Sequence, residues 1–151
     1  TSIDHWQGLL SHFQRDCFFI NLQYGDVEEE IDALSSESGV RIYCDKDIDP
    51  LENLDDFSAQ VSALDLVIST SNTTVHVAGA LGKPVWTLLH YVPDWRWQLD
   101  RSDTPWYPSM KLYRQPSLGD WDNVFQQVQS DLGKFVDHTL NAKVNSHAWY
   151  S

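Results

Sequence analysis

The sequence predicts an α/β domain, a Rossmann-like doubly wound parallel sheet, and three observations predict it. Short apolar runs alternate with amphipathic stretches of ten or so residues, the order of parallel βαβ units with helices on both faces. The runs are near-continuously apolar, which suits strands covered on both sides. The chain has 151 residues, 42% of them hydrophobic and 13% aromatic, enough for one ordinary core without metal or disulfide support.

The elements follow in order. "CFFINLQ" (residues 17–23) reads as a central parallel strand. "DVEEEIDALSSESG" has acids in its opening turn and Gly39 at its end, the polarity a helix favours. "VRIYC" (residues 40–44) is a second strand, and an acidic loop through Pro50 leads to "LDDFSAQVSAL", with Leu54, Phe57, Val61 and Leu64 on one helical face. "DLVIST", a helix from about Thr73 and "PVWTLL" make another strand, helix and strand. The loop "HYVPDWRWQLDRSDTPWYPSM" is too long and too aromatic for a simple connection, and such loops are usually functional or meet a partner surface. "KLYR" reads as a final short strand. Asp120 then caps a helix, "WDNVFQQVQSDLGKFVDH", striped by Trp121, Val124, Phe125, Val128 and Leu132. Beyond Thr139 no periodicity is visible, so the expected division is one domain over residues 1–140 and a tail over 141–151.

Composition narrows the partners. The formal charge is −12, from 22 acids against 10 bases, and counterion release on a phosphate backbone needs clustered Lys and Arg, so nucleic acid is excluded as the expected ligand. The acids crowd into "GDVEEEID" and "DKDIDPLENLDD", whereas residues 65–89 carry only Asp65 and Lys83, which leaves room for a local anion site. Cys17 and Cys44 have no metal-ligand spacing and read as buried free thiols in a reducing, cytoplasmic compartment. No run approaches the roughly 20 apolar residues of a membrane span. No basic start precedes an apolar stretch, so no signal peptide is expected, and a chain opening on Thr reads as a piece of something longer.

The chemistry concentrates where "DLVIST" meets the next helix. Ser71, Asn72, Thr73 and Thr74 fall at the carboxyl end of a parallel strand and the amino end of a helix, the edge at which open α/β sheets bind ligands. The first helical N–H groups lack internal partners and the helix dipole places partial positive charge there, so a phosphate or pyrophosphate fits, with the Ser71, Thr73 and Thr74 hydroxyls as added donors. The competing reading is that Ser, Thr and Asn are simply common helix caps. His76, one turn in, is either structural or a phosphate or ribose contact. Ala78, Gly79, Ala80 and Gly82 have a packing role, letting the helix lie close to the sheet.

The pattern "TSNTTVHVAGALGKPVW" resembles the donor-binding region of GT-B glycosyltransferases related to bacterial heptosyltransferases (glycosyltransferase family 9), and more distantly the O-GlcNAc transferases. With "HYVPDWRW", "DTPWYPSMKLYRQ" and "GDWDNVF" the chain is similar, over residues 18–132, to the heptosyltransferase-like domain at the C-terminus of bacterial tetratricopeptide-repeat proteins. The resemblance implies the C-terminal half of a GT-B fold, binding a nucleotide diphosphate sugar for metal-independent inverting transfer. It requires no cofactor, and a missing N-terminal domain supplies the base and acceptor site, so no catalytic residue is expected in this chain. Asn72, Thr73 and Thr74 match the donor-phosphate contacts, and Asn21, Gln23 and Tyr24 match the segment that reaches the donor nucleotide. Two departures stand out. Gly25 and Asp26 replace the basic residue that often follows the first strand, and Val77 replaces the ribose-binding acid of the O-GlcNAc transferases. Arg96 or Lys83 can supply the lost cation only if the aromatic loop folds back over the strand ends. Trp95, Trp97, Trp106 and Tyr107 of that loop either stack on a sugar or base or pack on each other and on the missing domain. "DKDID" has acidic spacing by accident, and no metal is expected. Alternatives are a module that kept the fold and lost catalysis, and a GT-B-like sugar-nucleotide epimerase.

Overall fold

The chain is described by a computed structural model over residues 1–147, with side chains to residue 142. It opens on a helix that the sequence reading left unassigned, α1 (Ile3–Phe13), with Asp4 in its first turn and Leu9 and Phe13 buried. Strand β1 (Phe19–Ile20) pairs in parallel with β2 (Ile42–Tyr43), Phe19 opposite Ile42, and α2 (Glu28–Ser38) connects them. Three glutamates open α2, and Gly39, at φ +69°, closes it by donating its N–H to Ser35 O at 2.9 Å. Helix α3 (Leu54–Ala63) begins at Asn53, whose side chain accepts from the Asp55 and Asp56 amides. Then come β3 (Val67–Thr70), α4 (Thr73–Ala80), β4 (Val85–Leu89), a 3-10 turn at Trp95–Trp97, β5 (Met110–Arg114) and α5 (Trp121–His147).

The main sheet runs β3-β4-β5, all parallel, in register Val67 to Val85 and Val85 to Met110. All five residues of β4 are buried, as a central strand requires. Its side chains alternate between two cores. Trp86 and Leu88 join Leu9 and Phe13 of α1 and Val124, Phe125, Val128 and Leu132 of α5. Val85 and Leu89 join Phe57 and Val61 of α3, Val75 and Ala78 of α4, and Met110 and Leu112 of β5. Helices therefore cover both faces of a parallel sheet, as expected for the α/β class.

Three expectations are corrected. The run at residues 17–23 is no central strand: only Phe19 and Ile20 are strand, they belong to a separate two-stranded sheet, and Phe18 is 69% exposed. An apolar run reads the same whether one face or both are covered. Nor does the last helix stop near residue 138; α5 continues to His147, through most of the segment read as a tail, although residues 139–147 carry no apolar stripe. Residues 148–151 of that tail lie outside the described residues. The cysteines are both free, but half-buried rather than buried.

Candidate functional site

The carboxyl ends of β3, β4 and β5 lie on one edge because the strands are parallel, and α4 starts there, with only Ser71 and Asn72 between it and β3. Asn72 makes that turn. Its side-chain oxygen accepts the Thr74 N–H at 3.0 Å, and its amide nitrogen donates to Ser69 Oγ at 2.9 Å. Of the opening N–H groups that no helical carbonyl can reach, the cap takes Thr74's and leaves those of Thr73 and Val75. Thr73 is exposed on the rim, whereas Thr74 is 4% exposed and turned into the fold. Ser71 is exposed, and its Oγ accepts the indole N–H of Trp97 at 2.8 Å, which polarises the hydroxyl to donate outward.

The long loop does fold back over this edge. Trp97, 1% exposed, is driven into the core between α4 and the sheet, where its ring stacks on His76 at 5.2 Å and 21°. Tyr107 approaches from the far end of the loop, with its hydroxyl 3.0 Å from His76 Nδ1. Gly79 makes that approach feasible: a Cβ there would lie 2.5 Å from Tyr107 Cγ. The glycine thus opens α4 to the loop, whereas the sequence suggested close packing on the sheet. Burial holds His76 below its ordinary pKa, the Arg96 charge lowers it further and Asp94 opposes, so the ring is neutral at pH 7. A neutral imidazole with Nδ1 engaged by Tyr107 keeps Nε2 as its second hydrogen-bonding atom.

Arg96 neighbours this cluster, ion-paired to Asp94 at 2.9 Å. Trp95 is largely exposed to solvent. Arg114, at the end of β5, was not singled out in the sequence, although its place at a strand's carboxyl end was the available signal. Its guanidinium donates to the carbonyls of Gln98 at 2.7 Å and Trp97 at 3.3 Å, fixing the loop from beneath. Gln98 and Asp100 sit at φ +52° and +56°, a left-handed backbone that costs energy in non-glycine residues, and the Arg114 bond to the Gln98 carbonyl braces the first of them. Lys83, at the opposite end of α4, takes no part in this edge.

Asn21 and Gln23 follow the carboxyl end of β1, beside Cys44 and Asp45 after β2. They line a small cavity of about 40 Å³ with Leu22, Cys44, Asp45, Ile48, Pro50, Phe57 and Gln60. Tyr24 is half-exposed and does not line it. In the nearby acidic loop Asp45 and Asp49 accept the Asp47 and Leu51 amides, so two of its carboxylates serve turns. Among the described residues no three His, Cys, Asp or Glu side chains form a metal-binding group, and no helix is long and apolar enough to cross a membrane.

The fold and site define an α/β domain of parallel strands whose carboxyl edge is roofed by an aromatic loop. A curated relative, Protein FlbA of Caulobacter vibrioides, is 40% identical to this chain over 118 residues, 78% of this chain and 20% of FlbA. The chain thus spans about a fifth of that relative's length. No family model matches the chain. No solved structure matches it.

Proposed function

We propose that the chain is the nucleotide-diphosphate-sugar-binding domain of a metal-independent inverting glycosyltransferase, the C-terminal half of a GT-B fold within a longer bacterial protein. One observation carries this reading: the amino end of α4 opens on the carboxyl edge of three parallel strands, under a loop that seats Trp97 against Ser71 and His76. There the Thr73 amide and the Ser71 and Thr73 hydroxyls, on residues exposed at the rim, would hold a departing diphosphate with dipoles already oriented as charge develops. Arg96 would supply the cation that Gly25 and Asp26 do not. Asn21 and Gln23, at the second sheet's edge, would meet the nucleoside. The base and acceptor site would come from a preceding domain, and the free thiols fit a cytoplasmic setting.

Gly25 also favours a second reading, a fold that kept binding or scaffolding and lost catalysis. Its φ of +89° disfavours any side chain, so a basic residue at position 25 would be strained.

Calorimetric titration with ADP, GDP and UDP tests the primary reading, using Thr73→Ala and Thr73→Pro. Proline is tolerated at the first helical position, and Asn72, at φ −148° and ψ −175°, already has the extended backbone that precedes one. Thr73→Pro should therefore keep α4 and delete one donor N–H, weakening diphosphate binding about tenfold beyond Thr73→Ala. Equal affinity in the two variants would remove the helix amides from the site.

A further inference from the structure

Two indoles of the roofing loop are left outward. Trp95 is 71% exposed and Trp106 54% exposed. Their rings stand edge to face, 6.4 Å apart at 84°, forming a corner rather than a flat patch. The corner is rigidly built. Trp106 donates its indole N–H to Arg96 O at 3.0 Å, Asp94 accepts the Arg96 amide at 3.0 Å, Trp97 is buried next door, and Arg114 bonds the Trp97 and Gln98 carbonyls. Exposed aromatic rings held in place have their ordering entropy met in advance, the condition for binding a small rigid partner.

The loop's charges are two ion pairs, Arg96 with Asp94 and Arg101 with Asp103, together with Asp100. In a chain of net charge −12 this loop has one more acid than bases, a nearly neutral stretch suited to a neutral ligand. The Arg96 guanidinium lies 5.5 Å from the Trp95 ring centre and leaves most of that ring in solvent. A ring face bordered by planar donors and acceptors suits a pyranose, which presents C–H bonds on one face and hydroxyls round its edge.

We propose that Trp95 and Trp106 form a carbohydrate platform: a pyranose stacks on the open face of Trp95 with its edge against Trp106, and the Arg96 and Asp94 side chains bond its hydroxyls. The proposal deepens the transferase reading, since the platform adjoins the Ser71 and His76 edge through Trp97, yet the stacking does not depend on a nucleotide. The sugar is either that of the donor or a free saccharide.

Saturation-transfer NMR on the whole chain separates these sources, with methyl glucoside, galactoside, mannoside and N-acetylglucosaminide in one arm and UDP-, GDP- and ADP-sugars beside the bare nucleoside diphosphates in the other. Saturation confined to one face of the pyranose is expected, falling roughly fivefold in Trp95→Ala and kept in Trp95→Phe. Because the ring is exposed, the unfolding midpoint should stay put. Pyranoside saturation without any nucleotide binding would support the platform and sink the transferase reading. Nucleoside diphosphates that bind as tightly as their sugar conjugates, with no pyranoside saturated, would overturn the platform and spare that reading. Wild-type self-association abolished by Trp95→Ala, with no sugar signal, would also overturn it and assign the corner to protein contact.

Discussion

Single residues decide how the loop meets the helix. Gly79 lies in the last turn of α4, where alanine is still favoured, by up to about 1 kcal/mol, but its missing Cβ is what Tyr107 occupies. Displacing the ring costs about 1–3 kcal/mol, so Gly79→Ala should destabilise the protein by about 1 kcal/mol net in urea unfolding. In a Tyr107→Ala background the sign should reverse, because only the helix preference is left. His76 makes a second test. Its pKa is lowered from 6.5, first by burial and then by Arg96, so the unfolded chain binds the proton more readily than the native one. The resulting stability is present above the unfolded value and lost as pH falls through the lower folded one. Urea unfolding between about pH 5 and 8 should show that acid loss in the wild type and less of it in His76→Gln.

At the scale of elements, α5 is fastened to β5 by one carboxylate. Asp131 accepts from Lys111 at 2.5 Å, from Lys134 at 2.8 Å and from the Tyr113 hydroxyl at 3.0 Å. These bonds, Lys111's first, hold its carboxyl well below the ordinary 3.8, while burial and the same carboxylate push Tyr113 far above its usual range. Asp131→Asn should cost about 1–3 kcal/mol in thermal unfolding. The wild-type advantage should persist above pH 3.8 and disappear in acid, as Asp131 takes up its proton in the folded state. The α5 stripe that packs above this link was readable, since Trp121, Val124, Phe125, Val128 and Leu132 recur at helical spacing and are all buried. The α1 stripe, Ile3, Trp6, Leu9, Leu10 and Phe13 at helical spacing, was equally readable, and the sequence reading passed over it.

Across the whole molecule, local signals were readable and long-range ones were not. The Asn72 cap follows from residue type and position, and so does the edge where α4 starts. Whether Phe18 and Phe19 sit in the middle of a sheet depends on what lies beside them, which no pattern within residues 17–23 records. The Trp97 to Ser71 and Tyr107 to His76 contacts close 26 and 31 residues of chain, and their chemistry emerges only once the loop folds back. The functional reading turns on that edge, where the site's dipoles and Arg96 must outweigh a net charge of −12. Isothermal titration of the chain with ADP, GDP and UDP, each against its nucleoside, tests this most directly. Saturable binding of at least one diphosphate, about tenfold or more tighter than its nucleoside and weakening with added salt, is expected. Equal binding of nucleoside and diphosphate, or no binding of any of them at millimolar concentration, would contradict a diphosphate site at the start of α4.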